Sequence, residues 1–268
     1  MEGKMPNTMT YRAGRWDVEQ TSIIAEEPVT LSINNEVWLT FMCTPSDLEA
    51  LAIGFIYNEN IIETMEDVAS VRVCPGGDNI DIWLNRAVSK PKKRIRTSGC
   101  SGGETSIDES RFALGLTSPQ NGDMLPPPVI MTMMNQLLKS QDLYQKLGGV
   151  HTSALCDGNG IILTAEDIGR HNTLDKLAGK ILLERIKPAK RIILTTGRIS
   201  SEMIQKAGRM GASMVISRTS PTSLSIRMAE RLSITLIGYA RHERFTIYAH
   251  PERILTPTSE ERIISEAK

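Results

Sequence analysis

Cys100 lies in the stretch of this sequence that is best suited to thiol chemistry. It sits in the glycine- and serine-rich run Ser98–Gly103. A cluster of basic side chains comes directly before this run: Lys90, Lys92, Lys93, Arg94 and Arg96. The thiolate is the reactive form of cysteine, whose unperturbed pKa is about 8.5, and nearby cations favour that anion. Local chemistry therefore leaves two interpretations, a cysteine that accepts and passes on a group or a free cysteine in a solvated basic loop.

The other three cysteines are weaker candidates. Cys43 and Cys156 stand in apolar strand contexts, which predicts small core residues. Cys74 borders a turn with no basic cluster nearby in the sequence, and it receives no role. Four widely spaced cysteines without a Cys-x-x-Cys pair favour reduced thiols over disulfides or a zinc site, and thus a cytoplasmic location.

Two histidines are candidates for acid–base chemistry. His151 follows a pair of glycines, and His171 belongs to a set with Asp167, Arg170 and Asp175 at helical spacings of three and four. Such a set predicts either a carboxylate-oriented histidine or a salt-bridge ladder on a helix surface, and the spacing favours the ladder. Zinc deaminase chemistry needs His-x-Glu and Pro-Cys-x-x-Cys elements, which this sequence lacks, so no metal ligands are predicted.

The second half of the chain supplies elements that could position a ligand. Apolar strands are predicted at 192–195, 214–217 and 234–238, with helices between them, which favours a parallel sheet. The loops that follow them are Thr195–Arg198, Ser217–Ser223 and Tyr239–Arg244, and each carries arginine. Because ligands bind at the carboxyl edge of such sheets, these loops predict a site for a phosphorylated ligand.

The first half is predicted to be a smaller α+β unit. Alternating residues Val29, Leu31 and Ile33, then Val37, Leu39 and Phe41, flank an Asn34-Asn35 turn and predict a hairpin. The run Thr44–Asp47 resembles a helix start with a hydroxyl cap. A second strand pair is expected around Pro75–Gly77. We expect a flexible arm over 1–20 and an N-terminal unit over 21–125 that contains an active-site loop at 90–123. An α/β domain is expected over 126–268, and it should include a helix over 128–147.

Composition excludes several classes of protein. Lys+Arg and Asp+Glu both number 31, a formal net charge of +0, so no general attraction for nucleic acid is expected. The N-terminus lacks the apolar core of a signal peptide, and no apolar stretch approaches the ~18 residues that span a bilayer. We therefore expect neither nucleic acid nor membrane as a partner.

Several motifs together resemble the formate dehydrogenase accessory sulfurtransferase family, the FdhD family. The resemblance rests on Gly148–Leu155, Glu166–Lys176, Thr196–Glu202, Ser217–Thr222 and Gly238–Arg241, in the family's order. It extends from about residue 20 to about residue 250. The segment Glu166–Lys176 is the most distinctive of these.

The resemblance implies a function, a fold and partners. Members of the family are described as taking sulfur from a cysteine desulfurase as a persulfide. They pass it to the bis-molybdopterin guanine dinucleotide cofactor, which makes the formate dehydrogenase apoenzyme active. The resemblance also implies a homodimer and a C-terminal cytidine-deaminase-like three-layer α/β domain, here without zinc. Guanine nucleotides are expected to mimic the cofactor, which is the bound substrate.

Site residues follow from the same resemblance. The persulfide cysteine matches Cys100. The stretch that binds the molybdenum cofactor matches Tyr239, Ala240, Arg241, His242, Glu243 and Arg244. Many family members carry Cys-x-x-Cys at the active loop, whereas this chain has Gly103 at the second cysteine's position, which leaves single-cysteine transfer as the local mechanism. A cofactor-binding chaperone without sulfur transfer is the alternative function, and a nucleotide hydrolase is a third.

Overall fold

The computed structural model describes residues 7–90, 95–96, 104–105 and 124–255. Cys100 and most of the loop 90–123 lie outside the described residues, so the predictions that fall on them stay predictions. The fold is a mixed α+β fold with several sheets. It divides into two compact units. The first comprises the described residues within 1–113, 140–153 and 163–187, and the second those within 114–139, 154–162 and 188–268.

A β-hairpin stands where the sequence predicted a flexible arm. Strands β1 (Asn7–Arg12) and β2 (Arg15–Gln20) pair antiparallel. Ala13 and Gly14 form the two-residue connection and both have positive φ, 47° and 89°, which is the geometry of a tight hairpin turn. These strands were not predicted from the sequence, although Met9 and Tyr11, and then Trp16 and Val18, alternate with polar residues at a period of 2. Whether this segment is a flexible arm stays a prediction.

A four-stranded sheet forms the core of the first unit. Its strands, in the order β4-β3-β6-β5, are β3 (Glu27–Ile33), β4 (Glu36–Cys43), β5 (Val68–Val73) and β6 (Asn79–Leu84). The hairpin around Asn34-Asn35 and the pairing of β5 with β6 are confirmed. A bulge beside Leu31 shifts the register, so Trp38 is buried at 3% exposure while Val37 is 59% exposed.

A separate short sheet is described as well, in which β7 (Ile95–Arg96) pairs with β8 (Glu104–Thr105).

Helix α1 (Leu48–Asn58) crosses helix α4 (Arg170–Leu183) inside the first unit at very close range. A Cβ on Gly54 would overlap the carbonyl oxygen of Asp175, and one on Gly179 would overlap the carbonyl oxygen of Ala50. Two glycines thus allow the backbones to touch. This packing explains why α4 belongs to the first unit, although the sequence predicted one domain over 126–268 with a boundary near 125.

The second unit is built on a sheet with the strand order β10-β9-β11-β12-β13-β14. Its strands are β9 (His151–Cys156), β10 (Ile161–Asp167), β11 (Ile192–Thr195), β12 (Met214–Ser217), β13 (Thr235–Arg241) and β14 (Arg244–Ala249). Residues 151–153 and 163–167 of β9 and β10 fall in the first unit. Strands β11, β12 and β13 are parallel, as the sequence predicted.

The remaining helices are α2 (Pro127–Lys139), α3 (Asp142–Leu147), α5 (Ser201–Arg209) and α6 (Ser223–Arg231). The single helix predicted over 128–147 is therefore two helices, and Gln141 is buried between them in the chain. In the part of the chain that the structure describes, no helix is both long and apolar enough to cross a membrane.

Candidate functional site

The loops after three parallel strands meet at one edge of the second unit, which confirms the geometry predicted from the strand pattern. The backbone N–H of Arg218 donates to the carbonyl oxygen of Thr195 at 3.2 Å. The Ser217 hydroxyl donates to the carbonyl oxygen of Gly197 at 2.7 Å. Further along, the N–H of Tyr239 donates to the carbonyl oxygen of Thr219 at 3.0 Å. We call these joined segments, 195–198, 217–222 and 239–244, the carboxyl edge.

Residues 239–244 are not the open loop that the sequence predicted. They form the end of β13, a two-residue turn at His242 and Glu243, and the start of β14. Both turn residues have positive φ, 51° and 60°, so a tight hairpin turn closes the ladder here. The sequence did not reveal this because neither turn residue is glycine or asparagine, the usual residues at such positions.

Tyr239 is held in an unfavourable backbone conformation at this edge. Its φ of 53° is left-handed, which is uncommon for a bulky side chain. It lies within an irregularity of the β13–β14 ladder between Gly238 and Arg241. A Cβ on Gly238 would stand 2.9 Å from Cδ of Pro221 and 3.0 Å from the carbonyl oxygen of Thr219. Such strain persists only where the surroundings over-determine it, and it clusters at ligand sites.

Positive charge surrounds the carboxyl edge. The side chains of Arg198, Arg241 and Arg244 are exposed, and the guanidinium of Arg241 lies 5.7 Å from the centroid of the Tyr239 ring. Helices α5 and α6 begin here, each capped by its own hydroxyl: Ser200 accepts from Met203, and Thr222 forms a capping box with Ser225. Because these caps occupy part of each helix N-terminus, arginine supplies most of the available attraction for an anion.

The cluster around Asp167 differs from the surface ladder that the spacing favoured. Asp167 lies at the end of β10, not on the helix, and its carboxylate and the Lys176 ammonium are 2.7 Å apart with both side chains 0% exposed. The carboxylate also accepts from the backbone N–H groups of Thr44 and Gly169 and from the amide of Asn172, at 3.1, 2.8 and 2.9 Å. A carboxylate saturated with donors and sealed from solvent holds elements together rather than moving protons.

Asp175, another member of that set, and Thr44 also take part in the packing of the first unit. The Asp175 carboxylate accepts from the side-chain amide of Asn58 at 2.8 Å and is buried against α1. Thr44, predicted as a helix cap, accepts instead from the N–H of Ile168, so α1 begins only at Leu48. The cap prediction was wrong because the hydroxyl has a partner 124 residues away in the chain.

His151 keeps a local environment consistent with proton chemistry. It is half-buried at the start of β9, just after Gly148 and Gly149, whose φ values of 68° and 71° turn the chain into the strand. Burial lowers its pKa below the ordinary 6.5, and the positive charge of Arg170 lowers it further, against an opposing effect of Asp167. A neutral imidazole at physiological pH can accept a proton. Roles for His151 and His171 stay predictions.

The three described cysteines are poorly suited to carry a reactive sulfur. Burial, followed by nearby carboxylates, raises the pKa of Cys43 and of Cys156 to about 12. The Cys74 thiol donates to the carboxylate of Asp78 at 2.7 Å. The Cys74 sulfur also accepts from the backbone N–H of Asn79 at 3.2 Å, so it is engaged by neighbours within its own turn. The core placement predicted for Cys43 and Cys156 is confirmed.

Sequence reasoning missed two structural residues of these sites. Lys176 stands inside the segment that carries the family resemblance, yet nothing local marks it as fully buried. Ser217 ends a strand, and only the tertiary arrangement shows its hydroxyl joining two loops.

The protein thus has a mixed α+β fold with a parallel-stranded carboxyl edge and a cationic hairpin at that edge. It also has a buried ion pair between Asp167 and Lys176 of α4. The chain belongs to the FdhD/NarQ family, which matches residues 24–255.

Two sulfur carrier proteins align with nearly the whole chain. The sulfur carrier protein FdhD of Bacillus subtilis (strain 168) is 34% identical over 248 residues, 91% of this chain and 94% of that protein. The sulfur carrier protein FdhD of Staphylococcus aureus (strain MRSA252) is 33% identical over 249 residues, with the same shares. The crystal structure of a putative formate dehydrogenase accessory protein from Desulfotalea psychrophila is similar to this chain, with a TM-score of 0.76 and 29% identity. The match covers 94% of this chain and 99% of that one.

Proposed function

We propose that this protein is a sulfurtransferase that carries sulfur as a persulfide on Cys100 and serves formate dehydrogenase. The observation that carries the proposal is the state of the other cysteines. Of the four in the sequence, Cys43 and Cys156 are buried with pKa values near 12, and Cys74 is hydrogen-bonded to a carboxylate. Cys100, which follows a basic cluster, is the remaining candidate. The names of the relatives support sulfur carriage in general.

Loading follows the logic of thiol–disulfide exchange. The Cys100 thiolate attacks the outer sulfur of a cysteine desulfurase persulfide, so a new S–S bond forms on Cys100 as the desulfurase S–S bond breaks. The desulfurase leaves as a thiolate, and no net oxidation occurs. Delivery of that outer sulfur as sulfide consumes two electrons, which a thiol reductant supplies by forming a disulfide with Cys100. An external thiol is required because Gly103 stands where many relatives have a second cysteine.

The substrate that receives the sulfur is the molybdenum in bis-molybdopterin guanine dinucleotide, held by residues 239–244. Exposed arginines at the carboxyl edge and the cation–π contact between Arg241 and Tyr239 support a planar, phosphate-bearing ligand. Arginine suits such a ligand because its fork binds phosphate oxygens bidentately and its plane stacks on rings. The residues present therefore fit a guanine dinucleotide.

Fold, assembly and location complete the proposal. The second unit is a cytidine-deaminase-like three-layer scaffold that works without zinc, supported by three adjacent parallel strands with helices between them. The protein acts in the cytoplasm as a homodimer, with a cysteine desulfurase and a formate dehydrogenase apoenzyme as partners. The name of the solved relative supports formate dehydrogenase as a partner, and the desulfurase is what the family resemblance implies.

Intact-protein mass spectrometry after incubation with a cysteine desulfurase and cysteine tests the loading step. Wild type should gain one sulfur (about 32 Da) that reductant removes. Cys100→Ala should gain none, and Cys74→Ala, the matched control, should gain as much as wild type. If wild type gains nothing while the desulfurase is active, sulfur transfer is wrong and a cofactor-binding chaperone becomes the better interpretation.

A further inference from the structure

The hydroxyl of Ser217 is a buried junction at the carboxyl edge. The residue is 0% exposed, and its Oγ donates to the carbonyl oxygen of Gly197 at 2.7 Å. The same oxygen accepts from the N–H of Thr219 at 2.9 Å and lies 3.2 Å from the Thr219 hydroxyl. Its donor and acceptor capacity is therefore used within the protein, which suits a residue that acts on its neighbours rather than on a ligand.

The bonds of Ser217 lead to Tyr239. Thr219, fixed through its N–H, accepts from the N–H of Tyr239 through its carbonyl oxygen at 3.0 Å. Tyr239 needs such support because its φ of 53° is left-handed. The guanidinium of Arg241, two residues further along β13, lies 5.7 Å from the centroid of the Tyr239 ring. Gly238 leaves no space for adjustment, since even a Cβ there would press on Pro221 and Thr219. A shift of Thr219 would therefore move Tyr239 and its cation–π contact with Arg241.

We propose that Ser217 is a positioning residue for substrate binding. Its hydroxyl sets the distance between the segments that contain Gly197 and Thr219, and thereby the conformation of Tyr239. The inference rests on the proposed function in one respect, that residues 239–244 hold the guanine dinucleotide. It goes beyond that function by assigning the geometry of the binding stretch to a residue outside it.

Ser217→Ala removes the donor to Gly197 and the acceptor for Thr219 while leaving the size of the side chain nearly unchanged. Ser213→Ala is the matched control, because Ser213 precedes the other end of β12 and its hydroxyl likewise donates to a backbone carbonyl, that of Arg191, at 3.3 Å. Ser217→Cys keeps a weak donor and acceptor and provides a milder change at the same position.

Two properties are measured on the full chain of each variant, with folding checked by circular dichroism. The first is the Kd for GDP, by isothermal titration calorimetry. The second is sulfur loading of Cys100, by intact mass. Ser217→Ala should weaken GDP binding about 10-fold, since buried groups lose their partners, and Ser217→Cys should weaken it less. Loading should match wild type in every variant, and Ser213→Ala should match wild type in both properties. This split separates positioning from general loss of structure.

Three outcomes would overturn the inference. The positioning role would be wrong if wild type and Ser217→Ala bound GDP with equal Kd values. If Ser217→Ala does not fold, the same comparison is made between wild type and Ser217→Cys. Equal weakening in Ser217→Ala and Ser213→Ala would show a general effect of loosening β12. Absence of GDP binding by wild type would defeat the proposed cofactor stretch itself and the inference with it, a result distinguishable from the first two.

Discussion

Exchanging Asp167 for asparagine tests whether the sealed ion pair holds the first unit together. An asparagine can keep one acceptor oxygen facing Gly169 and Asn172, where Oδ1 lies now. Its amide nitrogen would then face the Lys176 ammonium and the N–H of Thr44, which donate to Oδ2 at 2.7 and 3.1 Å. Two hydrogen bonds to a charged acceptor would be replaced by donors facing donors.

The expected loss follows from those two bonds. Hydrogen bonds to charged groups contribute about 1.5–3 kcal/mol each, and breaking a buried ion pair by changing one partner costs about 3–5 kcal/mol. Asp167→Asn should therefore lower the free energy of unfolding by about 3–5 kcal/mol, a large share of the 5–15 kcal/mol typical of a domain. Urea unfolding followed by circular dichroism measures this change, with the slope m checked for two-state behaviour.

Two further variants make the prediction sharper. Lys180→Met on the same helix removes the partner of Asp47, an ion pair at 2.8 Å whose side chains are 22% and 41% exposed, and should cost under about 1 kcal/mol. The double variant Asp167→Asn/Lys176→Met should lose about 1–3 kcal/mol less than the sum of the singles, because the ammonium no longer faces an amide. A loss below 1 kcal/mol for Asp167→Asn, or simple additivity, would refute the reasoning.

Three more predictions concern other parts of the chain. Gly54→Ala should lower the free energy of unfolding in a urea titration by about 3 kcal/mol or more, or prevent folding, because the new methyl group overlaps the backbone of α4. Gly160→Ala is the control and should be tolerated, because its new methyl group meets only a side-chain oxygen at 3.9 Å. Because the pKa of His151 is lowered in the fold, the unfolded chain binds more protons just below pH 6.5. Stability should thus fall as pH drops from 6.5 towards the lowered pKa, and His151→Gln should flatten that part of the curve; an unchanged slope would contradict this. An alkylating reagent at neutral pH should modify Cys100 faster than Cys74, which peptide mass mapping would show, and the reverse order would contradict the assignment.

Local pattern was enough to predict most of the secondary structure. The alternation on either side of Asn34-Asn35 identified a hairpin, because side chains on a strand point to opposite faces with a period of 2. Apolar runs ending at Thr195 and Ser217 identified parallel strands, and the chain order alone then placed their loops at one edge. The edge where these loops meet was predicted in this way, together with the arginines that border it. Its use as a site for a phosphorylated ligand stays a prediction.

Long-range contacts decided what the sequence left open. Asp167 looked like one rung of a surface ladder, and its real partners include Thr44, 123 residues away in the chain. Spacing reports only which residues share a local face, so it cannot reveal a carboxylate sealed by a distant turn. In the same way, the N–H of Tyr239, a residue with a left-handed backbone, donates to a carbonyl oxygen supplied by Thr219 from the loop after β12. The sequence by itself determined the elements and their edge, whereas only tertiary packing decided which polar groups are buried, because burial depends on neighbours that the chain brings together after it folds.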